Sequence, residues 1–264
     1  MKLGVFGCGN MGGAIIRGLI DKGTLRKEQV LLNDKDPRKA QVLSRETGAE
    51  AMSIREITDK SDVLLLAVKP QDAGGLLEEI RSYLSGQTIV SVMAGVTAGS
   101  ITEKIGKEVP VARAMPNMAA FIKRSVTGIS FNDKVQDKNA IMTIFESVGT
   151  VVEVNEDEMD AVTALSGSGP AYLFYLAEAM ESAGKNMGMN AETVKKLVTE
   201  TLTGAGELLA VSGADPQVMI DKVASKGGTT EAALKVFSDR GIRDAVKEAV
   251  LKAKERSEEL SGGK

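Results

Sequence analysis

Two glycine-rich clusters hold most of the residues that could do chemistry. The first, Gly7-Cys8-Gly9-Asn10-Met11-Gly12, has the spacing G-x-G-x-x-G and follows a short apolar run at Lys2–Phe6. Gly7 permits a tight turn, and Gly9 lets backbone approach a pyrophosphate with no Cβ in the way. Gly12 allows a helix starting near Met11 to pack closely on the strand. The pyrophosphate then lies against the positive N-terminus of that helix. Together Gly7, Cys8, Gly9, Asn10, Met11 and Gly12 point to dinucleotide binding. The second strand, Val30–Asn33, should end where the adenosine ribose is read, and Asn33, Asp34 and Lys35 stand there, Asp34 lying 22 positions after Gly12. An acid here bonds the 2′-hydroxyl of NAD and repels the 2′-phosphate of NADP, whereas Lys35 and Arg38 attract that phosphate. The sequence leaves NAD and NADP both open.

Two further turns border the same ligand. Ala67-Val68-Lys69-Pro70 closes the apolar run Asp62–Val68, and Ala94-Gly95-Val96 closes Thr88–Met93. Ligands of open α/β sheets bind beyond the carboxyl ends of the strands. Lys69 and Pro70 should therefore border the cofactor, and a glycine at 95 lets a nicotinamide come close. The second cluster is Ser225-Lys226-Gly227-Gly228-Thr229-Thr230-Glu231, ahead of a helical segment. Its backbone N–H groups, two hydroxyls and helix N-terminus suit a small carboxylate. A cap alone would need only one of these residues. Ser166-Gly167-Ser168-Gly169-Pro170 also precedes a helix, but Pro170 at the first helical position and a Ser168 or Gly169 cap account for it.

The elements that must position these residues alternate in the first half. Strands are expected at Lys2–Phe6, Val30–Asn33, Asp62–Val68, Thr88–Met93, Pro110–Ala114, Thr127–Phe131 and Gly149–Val154. Helices are expected at Met11–Lys22, Pro37–Glu46, Gln71–Tyr83, Ala98–Gly106 and Lys134–Ser147. Strands this apolar are buried on both faces, so the fold class is α/β, a doubly wound and mainly parallel sheet of the Rossmann type. After about Asn155 an acidic turn, Glu156–Asp160, opens an all-α region. Pro170–Met187 is apolar almost all round and reads as a deeply buried helix. Ala191–Val211 and Ile242–Leu260 are further helices. The expected domains are 1–155, dinucleotide-binding, and 156–264, helical. The second has little core of its own, so a partner subunit should cover part of it.

Composition narrows the function. Of 264 residues 43% are hydrophobic and 26% charged, an ordinary globular mixture with a net charge of −3. No block of like charge predicts a nucleic-acid or membrane partner. The chain has no histidine, one cysteine and no tryptophan. A histidine base, a histidine-based metal site and an internal disulfide are therefore impossible, and no metal site is expected. No apolar run is long enough to span a bilayer and no signal-like segment opens the chain, so a cytoplasmic location is expected.

These segments match a known family. GCGNMG at 7–12, AVKPQ at 67–71, AGV at 94–96, RAMPN at 113–117, DAVTALSGSGPAY at 160–172, SKGGTT at 225–230 and DRGIRDAVKEAVLKAKERSEEL at 239–260 resemble pyrroline-5-carboxylate reductase over nearly the whole length. The resemblance implies an N-terminal Rossmann domain and a C-terminal helical domain that interlocks with a second subunit, giving homo-oligomers built from dimers. It implies reduction of Δ1-pyrroline-5-carboxylate to L-proline with NADPH or NADH. It adds Asn117 to the cofactor contacts Gly7–Gly12, Asn33–Lys35, Ala67–Pro70, Ala94 and Gly95. It places the substrate on Ser225, Gly227, Gly228, Thr229 and Thr230, with Thr230 near the imine nitrogen. Lys226 stands where the family usually has proline, and Ile54 where an asparagine often touches the ribose. Alternatives are a reductase of another cyclic imine and a non-catalytic nucleotide-binding relative. A β-hydroxyacid dehydrogenase would need a catalytic lysine in a glycine-rich setting, which neither Lys185 nor Lys195 has.

Overall fold

The computed structural model describes residues 1–262. One sheet of eight strands organises the first half: β1 Leu3–Phe6, β2 Val30–Asn33, β3 Glu50–Ala51, β4 Val63–Leu66, β5 Thr88–Ser91, β6 Val111–Met115, β7 Ser125–Phe131 and β8 Gly149–Glu153. Their spatial order is β3-β2-β1-β4-β5-β6-β7-β8. All neighbours run parallel except β6 with β7, which is antiparallel. The chain reverses its direction of travel across the sheet between β1 and β4, and a crevice opens at such a point.

The helices of this half are α1 Asn10–Asp21, α2 Pro37–Thr47, α3 Ile54–Lys60, α4 Ala73–Arg81, α5 Ala98–Ile105, α6 Lys138–Glu146 and the short α7 Met159–Val162. Alternation along the strands sorts them into two layers. Leu3, Val5, Val30, Leu32, Val63 and Leu65 share one core with residues of α1, α2 and α6. Phe6, Leu31, Leu64, Leu66, Ile89 and Val111 share the other with α3, α4 and α5. Strands buried on both faces read as continuous apolar runs for this reason. Pro37 is the first residue of α2, and Asp36 caps it by accepting from Arg38 N.

Strand β3 and helix α3 were not among the expected elements, nor was the short α7. The edge strand β3 is only two residues long and carries no buried side chain. Helix α3 starts on a capping box in which Ser53 and Glu56 satisfy each other's backbone N–H groups, a saving of about 1 kcal/mol for one cap. The helix expected at Gln71–Tyr83 opens as a 3₁₀ turn, Pro70–Asp72, before α4. The helix expected from Lys134 starts at Lys138, because Asp137 accepts from Ala140 N and caps it there.

By packing, the chain divides into one unit of Met1–Ser168 together with the residues from Ala253 on, and a second of Gly169–Lys252. The sheet itself ends at Glu153; the extra residues belong to α7 and to a π-helical stretch, Thr163–Gly167. The second unit is all helix: α8 Gly169–Asn186, α9 Ala191–Ser212, α10 Pro216–Val223, α11 Thr229–Asp239 and most of α12 Ile242–Leu260. Helix α8 is not deeply buried within the chain, contrary to the expectation from its apolar surface. Only Gly184 is buried along it, while Phe174 is 63% and Tyr175 79% exposed. A helix apolar on all sides signals burial without saying which chain supplies the cover.

Candidate active site

The glycine turn joins β1 to α1. Gly7 has φ +105°, and a Cβ there would stand 2.3 Å from the carbonyl oxygen of Ala67. A Cβ on Gly12 would stand 2.0 Å from the carbonyl oxygen of Gly7. These two glycines are required by the fold alone. Gly9 differs: its φ is −76° and nothing lies within 4 Å of its Cβ position. It is the N-cap of α1, and no side chain caps that helix. The first-turn N–H groups of α1 therefore face open space beside a missing Cβ, a cradle fitted to a phosphate group.

A cavity of about 650 Å³ lies over this turn, lined by Gly7, Cys8, Gly9, Asn10, Asp34, Lys35, Ala67, Val68 and Lys69. Nine of the expected cofactor residues thus meet around one space. Arg17, Lys39, Asp72 and Phe121 line it as well and were not singled out from sequence. Lys39 sits in the first turn of α2, which was the available signal, whereas Arg17 lies two turns into α1 and nothing local marks it. Cations outnumber carboxylates in this lining: Arg17, Lys35, Lys39 and Lys69 against Asp34 and Asp72. Asp34 is turned toward the protein: one carboxylate oxygen accepts from Cys8 N (2.8 Å), the other from Asp36 N (2.9 Å). Lys35 pairs with Asp72 at 2.7 Å. Asn33 donates its side-chain amide to the carbonyl of Met52 (2.8 Å) and takes no place in the lining. Ile54 packs on the core at the start of α3.

Cys8 is buried, and desolvation, with a smaller push from Asp34, raises its thiol from 9.0 to about 12. The thiol is protonated in the folded protein up to strongly alkaline pH and is a poor nucleophile. We expect alkylation by iodoacetamide at pH 8 to be slow in the native protein and fast in urea. The linked stability is fully present below pH 9 and is lost as pH rises from 9 toward 12, because only the unfolded chain releases the proton there. Equal alkylation rates in both states would contradict this.

The turns after β5 and β6 do not line the same cavity. Gly95 has φ +70°, and its Cβ position is filled by Leu260, with the Leu260 Cβ 2.8 Å and carbonyl carbon 3.0 Å away. The requirement for glycine at 95 comes from the end of α12 as much as from any ligand. Asn117 caps the 3₁₀ turn Met118–Ile122 through Ala119 N (3.0 Å) and donates to Ser166 Oγ (3.3 Å).

The second cluster lies in the helical unit. Gly228 is the N-cap of α11, and no side chain caps that helix. Thr229 and Thr230 form its first turn, Thr230 partly buried and Thr229 exposed. Two backbone N–H groups of the loop are already engaged: Gly228 N bonds Ser225 O (3.0 Å), and Gly227 N bonds the Glu231 carboxylate (2.6 Å). The grip of Glu231 on Gly227 is a feature that sequence reasoning missed. Ser225, Gly228, Thr229 and Thr230 remain together around an uncapped helix start. Among the described residues no group of three or more His, Cys, Asp or Glu side chains could hold a metal ion.

A doubly wound sheet, a glycine turn demanded by sterics and an uncapped helix facing an open cavity define a dinucleotide-binding protein with an appended helical unit. Comparison with known proteins agrees with both halves. A family model described as NADP oxidoreductase, coenzyme F420-dependent, matches residues 2–95, and one described as pyrroline-5-carboxylate reductase dimerisation matches 156–260. Pyrroline-5-carboxylate reductase 2 of Bacillus subtilis is 34% identical over 98% of this chain and 95% of its own length. The structure of a pyrroline-5-carboxylate reductase from Coxiella burnetii superposes with a TM-score of 0.91 at 32% identity, covering 98% of each chain. That of Plasmodium falciparum pyrroline carboxylate reductase, solved with NADP bound, gives 0.89 at 31% identity over 99% and 98%. The chain belongs to the pyrroline-5-carboxylate reductase family.

Proposed function

We infer that the chain reduces Δ1-pyrroline-5-carboxylate to L-proline with NAD(P)H, the last step of proline biosynthesis. The observation that carries this is the full-length match to reductases of that name, joined to a glycine turn whose geometry fits a dinucleotide. The bound dinucleotide supplies the hydride. The protein's own work is to hold, orient and desolvate, since positioning of reactants is where the rate gain lies in hydride transfer.

Gly9 and the first-turn N–H groups of Asn10, Met11 and Gly12 hold the pyrophosphate. Asp34 and Lys35 border the ribose; Ala67–Pro70, Ala94, Gly95 and Asn117 border the rest of the cofactor. The substrate carboxylate lies on the α11 start at Gly228, Thr229 and Thr230, with Ser225 and Gly227 shaping the loop and Lys226 adding a cation. The Thr230 hydroxyl hydrogen-bonds at the imine nitrogen, donating to the neutral imine or accepting from the iminium N–H, and fixes the carbon that receives hydride. A threonine hydroxyl is too weak an acid to be the sole proton source near neutral pH, so the proton arrives with the iminium or from water. Residues 1–155 serve as the nucleotide-binding domain and 156–264 as the substrate-binding and dimerisation domain. Dimers form through the helical domain, and the enzyme works in the cytoplasm. No helix among the described residues is long and apolar enough to cross a membrane.

NADPH is the better donor on this reading. The cavity lining holds four cations and two carboxylates, and the carboxylate of Asp34 is occupied by backbone N–H groups. The test is steady-state turnover of the imine with each dinucleotide. We expect turnover with both and a kcat/KM for NADPH about tenfold higher or more, the worth of one added phosphate contact. Thr230→Val should lower kcat about 100-fold with a smaller change in KM, the usual loss for one aligned donor at the reacting centre. No turnover by protein that binds NADPH would move the assignment to another cyclic imine or to a regulatory role.

A further inference from the structure

The acidic turn at the start of the dimerisation segment has ties that neither cofactor nor substrate binding uses. Glu156 is exposed at its edge, yet its carboxylate reaches three separate elements. One oxygen accepts from Ala98 N (3.1 Å) and from the Arg113 guanidinium (2.8 Å); the other accepts from Ser130 Oγ (2.8 Å). Ala98 is the first residue of α5, so this carboxylate stands at the positive end of that helix, where it is favoured. Arg113, on β6, is 3% exposed, and its second terminal nitrogen has no hydrogen-bond partner. Glu156 is thus what compensates a nearly buried guanidinium.

Four residues on, Asp160 makes the second tie. Ser257 of α12 is 4% exposed and donates to the Asp160 carboxylate at 2.5 Å; Ser261 donates to the same oxygen at 3.3 Å. This fixes the last turn of α12, and Leu260 on that turn fills the space beside Gly95. Between the two ties lies the segment Ala94–Thr97, which leads from β5 into α5. Its exit is fixed by Glu156 and its middle by the end of α12, which Asp160 holds.

We propose that the acidic turn Glu156–Asp160 positions the cofactor loop Ala94–Thr97, gripping the loop's exit directly and its middle through Ser257 and Leu260. Glu156, Asp160 and Ser257 are positioning residues: they touch no reacting atom and act through the backbone of Ala94 and Gly95. The inference rests on the reading that this loop borders the nicotinamide. It makes the C-terminal turn of the chain part of the cofactor site, although no residue there is in a cofactor motif.

The test uses the full-length enzyme and three variants: Glu156→Gln, Ser257→Ala and a stop codon in place of Leu260. A stop codon in place of residue 263 is the control. Direct NADPH titration gives Kd; steady-state rates give kcat and both KM values; thermal melting gives Tm. We expect Glu156→Gln and the 260 truncation each to raise the NADPH Kd and lower kcat by about tenfold. Loss of one charge-assisted contact has that magnitude. Ser257→Ala should follow in the same direction with a smaller change. The KM for the imine should stay within about twofold, since both KM and Kd for the dinucleotide move with the loop and the carboxylate site does not. Both variants act on one loop, so together they should cost less than the product of their separate effects.

A fall in Tm with unchanged NADPH Kd and kcat would overturn the proposal, because it would mean these contacts only hold the fold. Unchanged values in every measurement would overturn it too. If Glu156→Gln leaves Arg113 uncompensated and fails to fold, the truncation touches no buried charge and carries the test. Failure of the functional reading looks different: the unaltered enzyme would bind NADPH and not reduce the imine, and the Kd comparison would still test the loop.

Discussion

Gly9→Ala should leave the chain as stable as before and strip it of its dinucleotide, while Gly7→Ala should damage both. The two positions are two residues apart in one turn, but they meet different surroundings. At Gly9 the backbone is already in a conformation open to any residue, and the Cβ position is empty to 4 Å. Alanine is a poorer N-cap than glycine, a loss of several tenths of a kcal/mol to about 1 kcal/mol. It also removes about 0.4–1 kcal/mol of unfolded-state entropy. These offset, and Tm should hold within a few degrees. The new methyl group stands where the pyrophosphate must lie against the α1 N–H groups. Displacing a bound group by roughly 1 Å costs about 100-fold, and the NADPH Kd should rise by at least that.

Gly7→Ala has two added costs. A left-handed φ of +105° strains an L-residue by about 1–2 kcal/mol. The Cβ also collides with backbone, 2.3 Å from Ala67 O and 2.9 Å from Val68 N, where no flexible side chain can give way. Overpacking of that kind costs about 1–3 kcal/mol. The sum, about 2–5 kcal/mol, should lower Tm by on the order of 10 °C in a chain of this size, and NADPH binding should fall as far as in Gly9→Ala. Calorimetry with NADPH titration on both variants separates the outcomes. Equal loss of stability in both would mean that Gly9 is a packing glycine and that no phosphate site lies in front of it.

That contrast also marks how far the sequence could be read. The strands of the parallel sheet were legible because burial on two faces makes continuous apolar runs; Val30–Asn33 and Ile242–Leu260 have the same limits in the structure. Strand β3 was not legible, because Glu50–Ala51 is short, exposed and held only by backbone pairing to Leu31 and Leu32. Helix α3 carried its signal in Ser53 and Glu56, a spacing that caps a helix start. The chemistry of the glycine turn was legible because it is local: strand, turn and helix are contiguous. The ties of Glu156 to Arg113, and of Asp160 to Ser257, join residues 43 and 97 positions apart. No periodicity reports such pairs, and an acidic turn reads from sequence only as solvated surface. The side-chain hold of Glu231 on Gly227 was missed for another reason. Glutamate at the third position of a helix is ordinary, and nothing local marks it as reaching back to the loop.

Disrupting the apolar surface of α8 should abolish activity without touching a site residue. In the unit Gly169–Lys252 the side chains that should form a core are largely uncovered. Helices α10 and α11 have no buried residue, and α9 has only Val194 and Val198. Leu173, Phe174 and Tyr175 on α8 are all more than half exposed, as are Leu197 and Leu208 on α9. A bundle of this size cannot offset its conformational entropy with so little burial. The residues matched by the reductase dimerisation model, 156–260, contain all of this surface. We expect a second copy of the chain to cover this surface, so that the helical unit completes its core in the dimer. Phe174→Asp with Tyr175→Asp places two carboxylates in that core. Unpaired charges buried there cost several kcal/mol each, more than a normal interface can absorb. Light scattering should show the monomer mass, and kcat/KM should fall by more than 100-fold, because α11 and its Thr230 depend on the same bundle for their order. The α1 site is built from the sheet and should still bind NADPH. A variant that stays dimeric and active would place the interface on another face. One that is monomeric and fully active would show that the helical unit organises its carboxylate loop without a partner.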